Sequence, residues 1–186
     1  MFIQTEDTPN PETLKFIPGN IILKKGTADF SSKEAALQSP LALRLFEIDG
    51  VSRVFLGTNF ISVTKDTHLD WNALKPSILT GIMEHFSSGL PVINETEEKV
   101  SEISSTKEDT ETIKQIKDLL ETRVRPAVAM DGGDITFCSF ESGVVTLQMK
   151  GACAGCPSST ATLKMGIENM LRHYIPEVTE VKAAEL

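Results

Sequence analysis

Residues 144–163 read VVTLQMKGACAGCPSSTATL, a strand, a cysteine loop and a helix start in direct succession. Apolar and polar side chains alternate over 144–150, as they do in a half-buried strand. Pro157 suits the first position of a helix, where its missing N–H costs nothing. Between the two lies a C-x-x-C motif formed by Cys153 and Cys156, with glycines nearby that let the backbone turn tightly. The stretch predicts a strand–loop–helix unit that presents two thiols.

The residues around this unit complete a small domain of the α+β class. A strand is expected at 135–140, paired through a tight turn with the strand that leads into the cysteine loop. A helix is expected before it, and Pro126 ends or bends that helix. A last short strand is expected at 178–181. The predicted element order over residues 109–186 is therefore α-β-β-α-β, with the C-x-x-C loop before the second helix.

Residues 1–87 predict a second small domain, of element order β-β-α-β-β-α. Two short strands precede Pro40, which can begin a helix. A hairpin is expected over 51–64, and Asp70 can cap the helix that follows it. Nothing in this half indicates catalysis, because its two histidines have no partner at the spacing of metal ligands. The chain is thus expected to contain two α+β domains.

The segment between them, residues 88–108, has a different composition. It is rich in Ser, Thr and Glu and contains no aromatic residue. Repulsion among its glutamates favours an extended chain, so it is predicted to be an acidic flexible linker. An exposed helical connector is the alternative, since Val100 and Ile103 are three residues apart.

The charge, the hydropathy and the cysteine content of the chain argue against several classes of function. The chain has 18 Lys and Arg against 26 Asp and Glu, a formal net charge of −8. This balance argues against a protein that binds nucleic acid through its phosphates. No apolar run approaches the ~20 residues that span a bilayer, and the N-terminus lacks the features of a secretory signal. Three cysteines cannot pair evenly, which is typical of a reducing compartment.

Several kinds of chemistry fit two thiols at a helix start. Unpaired backbone N–H groups and the positive end of the helix dipole are expected to favour the thiolate form of both cysteines. A thioredoxin-like dithiol is disfavoured, because too little sequence follows Cys156 for the rest of such a fold. A closed zinc site needs four protein ligands, and His173 is expected at the helix surface well away from the loop. A [4Fe–4S] cluster usually takes four thiolates, which two chains meeting at this loop would supply. The remaining alternative is a structural loop that binds no ligand.

Motifs in both halves point to one family. In the C-terminal half they are DGGD at 131–134, GACAGCPSS at 151–159 and IPEV at 175–178. In the N-terminal half they are TPNP at 8–11, SPLA at 39–42 and VSRVF at 51–55. Together these stretches resemble the NifU-like (Nfu) proteins, which are scaffolds or carriers in iron–sulfur cluster biogenesis. The resemblance covers both domains and leaves only the linker unmatched.

The resemblance implies that Cys153 and Cys156 ligate a [4Fe–4S] cluster that bridges a homodimer, with a [2Fe–2S] cluster as the alternative. It implies a carrier rather than an enzyme, which receives clusters from an upstream assembly scaffold and delivers them to apo-proteins, without nucleic-acid or membrane partners. The N-terminal domain would contribute to recognition of clients or donors. A bacterial cytoplasmic protein is expected, or a mitochondrial matrix protein if the chain is a processed eukaryotic one. The alternative function is a thiol-redox or electron-transfer module that uses the same C-x-x-C.

The third cysteine, Cys138, is not required by this motif. It falls in the strand at 135–140, on the face opposite Ile135 and Phe137, so it is expected to be a half-buried side chain rather than a ligand. Lys150 and Lys164 lie near the loop in sequence, where their charges could offset that of a thiolate-bound cluster.

Overall fold

The structure is a computed structural model that describes residues 1–94, 110–155 and 157–184, with the backbone alone considered at 157–159. The chain divides into two compact units, Met1–Glu97 and Glu98–Leu186. Each unit contains helices and a sheet with its own hydrophobic core, so the predicted pair of small α+β domains is confirmed.

The first unit is built on a five-stranded antiparallel sheet. Its strands are β1 (Gln4–Asp7), β2 (Thr13–Ile17), β3 (Ala28–Phe30), β4 (Val51–Leu56) and β5 (Ile61–Lys65). They lie in the order β1-β2-β5-β4-β3, so the predicted hairpin β4–β5 forms the centre of the sheet together with β2. The edge strand β3 was not expected, because three residues are too few for an alternating pattern to register in the sequence.

Three helices complete the first unit. They are a 3₁₀-helix (Ala35–Gln38), α1 (Pro40–Phe46) and α2 (Trp71–Ser88). The predicted cap of α2 is present, since Asp70 Oδ1 accepts the backbone N–H of Asn72 at 2.9 Å. The cap of α1 was not predicted; it is Ser39, whose Oγ accepts the backbone N–H of Ala42 at 3.1 Å. Pro76 lies inside α2 without ending it. Helices α1 and α2 share one hydrophobic core with the sheet.

The first unit continues beyond the boundary expected at residue 87. The backbone N–H of Asn94 donates to the carbonyl of Gln38 at 2.8 Å, and Ser39 Oγ donates to the carbonyl of Val92 at 2.6 Å. Val92 and Ile93 also pack against the core. The first part of the expected linker is therefore anchored to this unit, and its remainder, 95–108, lies outside the described residues.

The second unit has the predicted order α-β-β-α-β, with its first helix divided in two. Its elements are α3 (Glu111–Leu119), a π-helical turn (Leu120–Val124), α4 (Arg125–Met130), β6 (Gly133–Glu141), β7 (Val144–Gly151), α5 (Pro157–Tyr174) and β8 (Glu180–Ala183). Pro126 stands at the start of α4, where it needs no hydrogen bond, and the π turn precedes it. The sheet order is β6-β7-β8, with β6 antiparallel and β8 parallel to β7.

Strand β6 contains a bulge that the alternating pattern did not predict. Phe137 pairs with Leu147, but the next pair is Ser139 with Thr146, so Cys138 has no partner across the ladder. The extra residue shifts the alternation by one position. As a result Phe140, rather than Ser139, packs against the core.

Candidate functional site

The described residues of the cysteine loop (residues 151–156) are 151–155, and they lie where the sequence predicts them, between β7 and the start of α5. Gly151 and Gly155 have φ values of 65° and 77°, in the left-handed region that glycine adopts without strain. The backbone N–H of Ala154 donates to the carbonyl of Gly151 at 3.1 Å. Thr160 Oγ1 in the first turn of α5 donates to the carbonyl of Cys153 at 3.0 Å, which ties the loop to the helix.

The side chain of Cys153 points inward. The residue is only 6% exposed and belongs to the hydrophobic core of the second unit. Its sulfur packs against Gly133 at the start of β6, since a Cβ built on that glycine would lie 2.6 Å from Cys153 Sγ. The turn before β6 is joined to the loop by a hydrogen bond of 3.1 Å from the N–H of Ala152 to the carbonyl of Gly132. The sulfur therefore lies between two backbone segments that are tied together.

This position keeps Cys153 a neutral thiol near neutral pH. Burial, together with the negative charges of Asp131 and Asp134, raises the pKa of the Cys153 thiol to about 12. The expectation that the helix start favours its thiolate is therefore wrong for Cys153. The reason is geometric, because the sulfur lies in the core under Gly133 rather than in the open at the end of the helix.

An ion pair that the sequence did not reveal stands next to Gly133. The carboxylate of Asp134, which is 4% exposed, accepts Arg125 Nε at 2.9 Å and Nη2 at 3.0 Å, and its Oδ1 also accepts the backbone N–H of Ile135 at 2.8 Å. Arg125 Nη1 donates to Glu121 at 2.6 Å. These contacts raise the pKa of Arg125, chiefly through the hydrogen bonds to Asp134. No signal in the sequence pairs residues nine positions apart across a helix end and a turn.

The sequence analysis also singled out Cys156, Cys138, Lys150 and Lys164. Cys156 lies outside the described residues. Cys138 is half-buried at the bulge of β6, with its sulfur 3.9 Å from the carbonyl of Thr136, and burial raises its pKa. Lys150 pairs with Asp134 across the β6–β7 ladder, one residue before the loop. Lys164 lies on α5, half-buried.

The histidines lie apart from the loop. His173 is exposed in the last turn of α5, as expected, with its ring edge-on to that of Tyr174. His85 of α2 is fully buried, and neither ring nitrogen makes a hydrogen bond within the described part of the chain. Burial and then the charge of Arg44 lower its pKa; the backbone of Leu90 opposes this shift without completing a hydrogen bond. His85 is therefore a neutral core residue.

The described residues contain no group of three or more His, Cys, Asp or Glu side chains placed to hold a metal ion. Within them, no helix combines the length and the apolar character needed to cross a membrane.

Both halves of the chain match known domain families. Residues 3–89 match the family described as scaffold protein Nfu/NifU N terminal. Residues 116–182 match the NifU-like domain family, and this range includes the whole cysteine loop.

Relatives extend this similarity over almost the full sequence. The chain is 54% identical over 183 residues to the human "NFU1 iron-sulfur cluster scaffold homolog, mitochondrial", covering 98% of this chain and 71% of that protein. It is 51% identical over 185 residues to "NifU-like protein 4, mitochondrial" of Arabidopsis thaliana, covering 98% of this chain and 65% of that protein. A solution structure of a NifU-like protein from Saccharomyces cerevisiae is 26% identical and overlays 52% of this chain and 87% of that one, with a TM-score of 0.47. By its two domain matches and its identity to these relatives, the chain belongs to the Nfu/NifU family, whose members include iron–sulfur cluster scaffolds.

Proposed function

We propose that this chain holds an iron–sulfur cluster on Cys153 and Cys156 and passes it to apo-proteins, as a carrier with no catalytic activity of its own. The observation that carries the proposal is the tight loop that places Cys153 between β7 and α5, inside the domain that matches the NifU-like family. Thiolate sulfur is the usual protein ligand of iron–sulfur clusters. The cluster is the cargo of such a carrier and binds by replacing the thiol protons.

The cluster we propose is a [4Fe–4S] cluster shared by two chains. Such a cluster usually takes four thiolates, and the C-x-x-C motif of one chain offers two. Two copies of the loop related by a two-fold axis would supply all four ligands. A [2Fe–2S] cluster on the same four sulfurs is the alternative. Dimer formation would then follow cluster binding.

The proposed partners are apo iron–sulfur proteins and an upstream assembly scaffold. The human relative is named as an iron–sulfur cluster scaffold homolog, which supports a role in cluster supply rather than in electron transfer. Those relatives are also named as mitochondrial, so the expected bacterial cytoplasmic location has no support among them. We propose the mitochondrial location instead. Fractionation of cells that express a tagged chain tests it, and a tag found only in the cytosol would contradict it.

A thiol-redox module is disfavoured by the state of Cys153. Redox cysteines of this kind react as exposed thiolates with lowered pKa values. Here the thiol is buried and its pKa is raised to about 12. A ligand sulfur needs to lose its proton only when iron replaces it, so the same burial is compatible with cluster binding.

Anaerobic reconstitution with iron and sulfide tests the proposal. The loaded protein should contain about four irons per two chains, give the Mössbauer spectrum of a [4Fe–4S] cluster and elute as a dimer. Cys153→Ser and Cys156→Ser should each abolish stable iron binding and leave the protein as a monomer, because each change removes two of the four ligands from the shared site.

The matched control is Cys138→Ser, which removes a thiol from the same domain but outside the loop. A loaded form that is strictly monomeric and holds four irons would contradict the shared site. Full iron uptake by both loop variants would contradict the assignment of the ligands.

A further inference from the structure

The sulfur of Cys153 has a defined neighbour on its inner side, the Cα of Gly133. A Cβ at this position would lie 2.6 Å from Cys153 Sγ, 2.7 Å from the carbonyl oxygen of Lys150 and 3.1 Å from the backbone nitrogen of Cys153. Real Cβ atoms essentially never lie within 3.0 Å of other atoms, so the first two of these contacts exclude a side chain at this position. Lack of space, and not backbone conformation, therefore requires glycine at position 133, because Gly133 does not have the positive φ that several other glycines adopt.

The contact between Gly133 and the loop is held by backbone pairing on one side. Gly133 pairs with Gly151 at the end of the β6–β7 ladder. One residue further out, the N–H of Ala152 reaches the carbonyl of Gly132. The backbone of Gly133, on which the sulfur packs, is therefore paired with the backbone segment that leads into Cys153.

The ion pair of Arg125 and Asp134 holds the same segment on the other side. Asp134 follows Gly133 directly, and its buried carboxylate receives two parallel hydrogen bonds from one guanidinium group. Such a two-point contact restrains both position and orientation, which a single charge contact does not. Arg125 is itself held by Glu121 one turn earlier. The start of β6 is therefore clamped to the start of α4.

We propose that Gly133, clamped by the Arg125–Asp134 ion pair, is a positioning residue for the Cys153 ligand. It sets how deep the sulfur lies and in which direction it leaves the loop. The inference deepens the proposed function, because it assumes that Cys153 ligates the cluster. A group that touches only the sulfur of a ligand can still change the geometry and lability of the metal site.

The test compares two glycine substitutions in the full chain. Gly133→Ala puts a methyl group into the space beside the sulfur, whereas Gly166→Ala on α5 is the matched control, because a Cβ there would meet nothing within 4 Å. In a Cys138→Ser, Cys156→Ser background, the rate of alkylation of the remaining thiol reports the position of the Cys153 sulfur without any cluster. Far-UV circular dichroism and thermal unfolding report the fold.

We expect Gly133→Ala to raise the alkylation rate several-fold, and Gly166→Ala to leave it unchanged. With all three cysteines present, the cluster of Gly133→Ala should have a shifted visible circular dichroism spectrum and be lost to a chelator several-fold faster than that of the parent. A folded Gly133→Ala protein with the alkylation rate and cluster spectrum of the parent would overturn the proposal.

A second variant keeps the test decisive if Gly133→Ala does not fold. Arg125→Lys retains the positive charge but loses the two-point contact, so it should also raise the alkylation rate. An unchanged rate in this variant would overturn the proposal. If the parent itself takes up no iron, the proposed function fails, while the alkylation comparison still decides whether Gly133 positions the sulfur.

Discussion

At the scale of single residues, the surroundings of Cys153 decide its protonation state. Its sulfur is enclosed by core residues and by the backbone at Gly133, and two carboxylates add negative charge nearby. Both influences act against a thiolate. The folded protein therefore keeps this thiol protonated near neutral pH, and under the proposed function iron would replace the proton.

A pH dependence of stability follows from this shift. Above pH 9.0 the thiol of the unfolded chain loses its proton, whereas the folded thiol keeps it up to about pH 12. The unfolded state is thus increasingly favoured as the pH rises through this window, and the contribution of Cys153 to stability is lost. Urea unfolding of the metal-free protein on both sides of pH 9.0 should show a steeper loss of stability in the parent than in Cys153→Ala. Parallel curves for the two proteins would contradict the buried thiol.

Cys138 should be dispensable for iron binding. Its sulfur lies at the bulge of β6, near the carbonyl of Thr136, and serine can replace it with little change in volume. Cys138→Ser should retain the full iron content of the reconstituted protein, measured by colorimetric iron analysis. Loss of iron with unchanged circular dichroism would make Cys138 a ligand or a necessary neighbour of one.

At the scale of elements, helix starts tie the first unit together. Ser39 caps α1 and also donates to the carbonyl of Val92, in the segment that follows α2. One buried hydroxyl therefore connects two parts of the chain that are distant in sequence. The bond explains why the first unit continues through Asn94 instead of ending with α2.

Ser39→Ala should destabilise the first unit by about 1–3 kcal/mol, because it removes a helix cap and leaves the partly buried carbonyl of Val92 without its donor. Urea unfolding of the full chain measures the change. The matched control is Ser87→Ala in α2, whose exposed hydroxyl donates to the carbonyl of Met83 in the same helix. The control should change stability by less than about 0.5 kcal/mol. Equal effects of the two substitutions would show that Ser39 does not connect these segments.

At the scale of the whole molecule, the cysteines are confined to one unit. Residues 1–137 contain none, and all three lie in the second unit. Under the proposed function, cluster binding therefore falls to the second unit.

The second unit should hold the cluster by itself. A fragment that begins at Ser105 should take up as much iron per chain as the full protein, because its core and its loop are complete. Transfer to apo-proteins should become slower or less selective, which a transfer assay with two different acceptors measures against the full chain. A fragment with native circular dichroism that takes up no iron would contradict this division of labour.

The sequence alone determined the local features, because they depend on neighbouring residues. Alternation predicted β7, Pro40 and Asp70 predicted two helix starts, and two glycines around Cys153 predicted the tight loop. Its motifs also indicated the family that the domain matches confirmed. The sequence did not predict the short strand β3 or the bulge at Cys138, because each is defined by pairing with a neighbouring strand.

The tertiary structure decided what surrounds the sulfur. A helix start next to two cysteines predicts thiolates when the sulfurs are exposed, but the fold turns the sulfur of Cys153 into the core beneath Gly133. The ion pair of Arg125 with Asp134 likewise exists only because α4 and β6 begin side by side. Burial and long-range pairing depend on how distant segments pack, and the pattern of one segment carries no record of that.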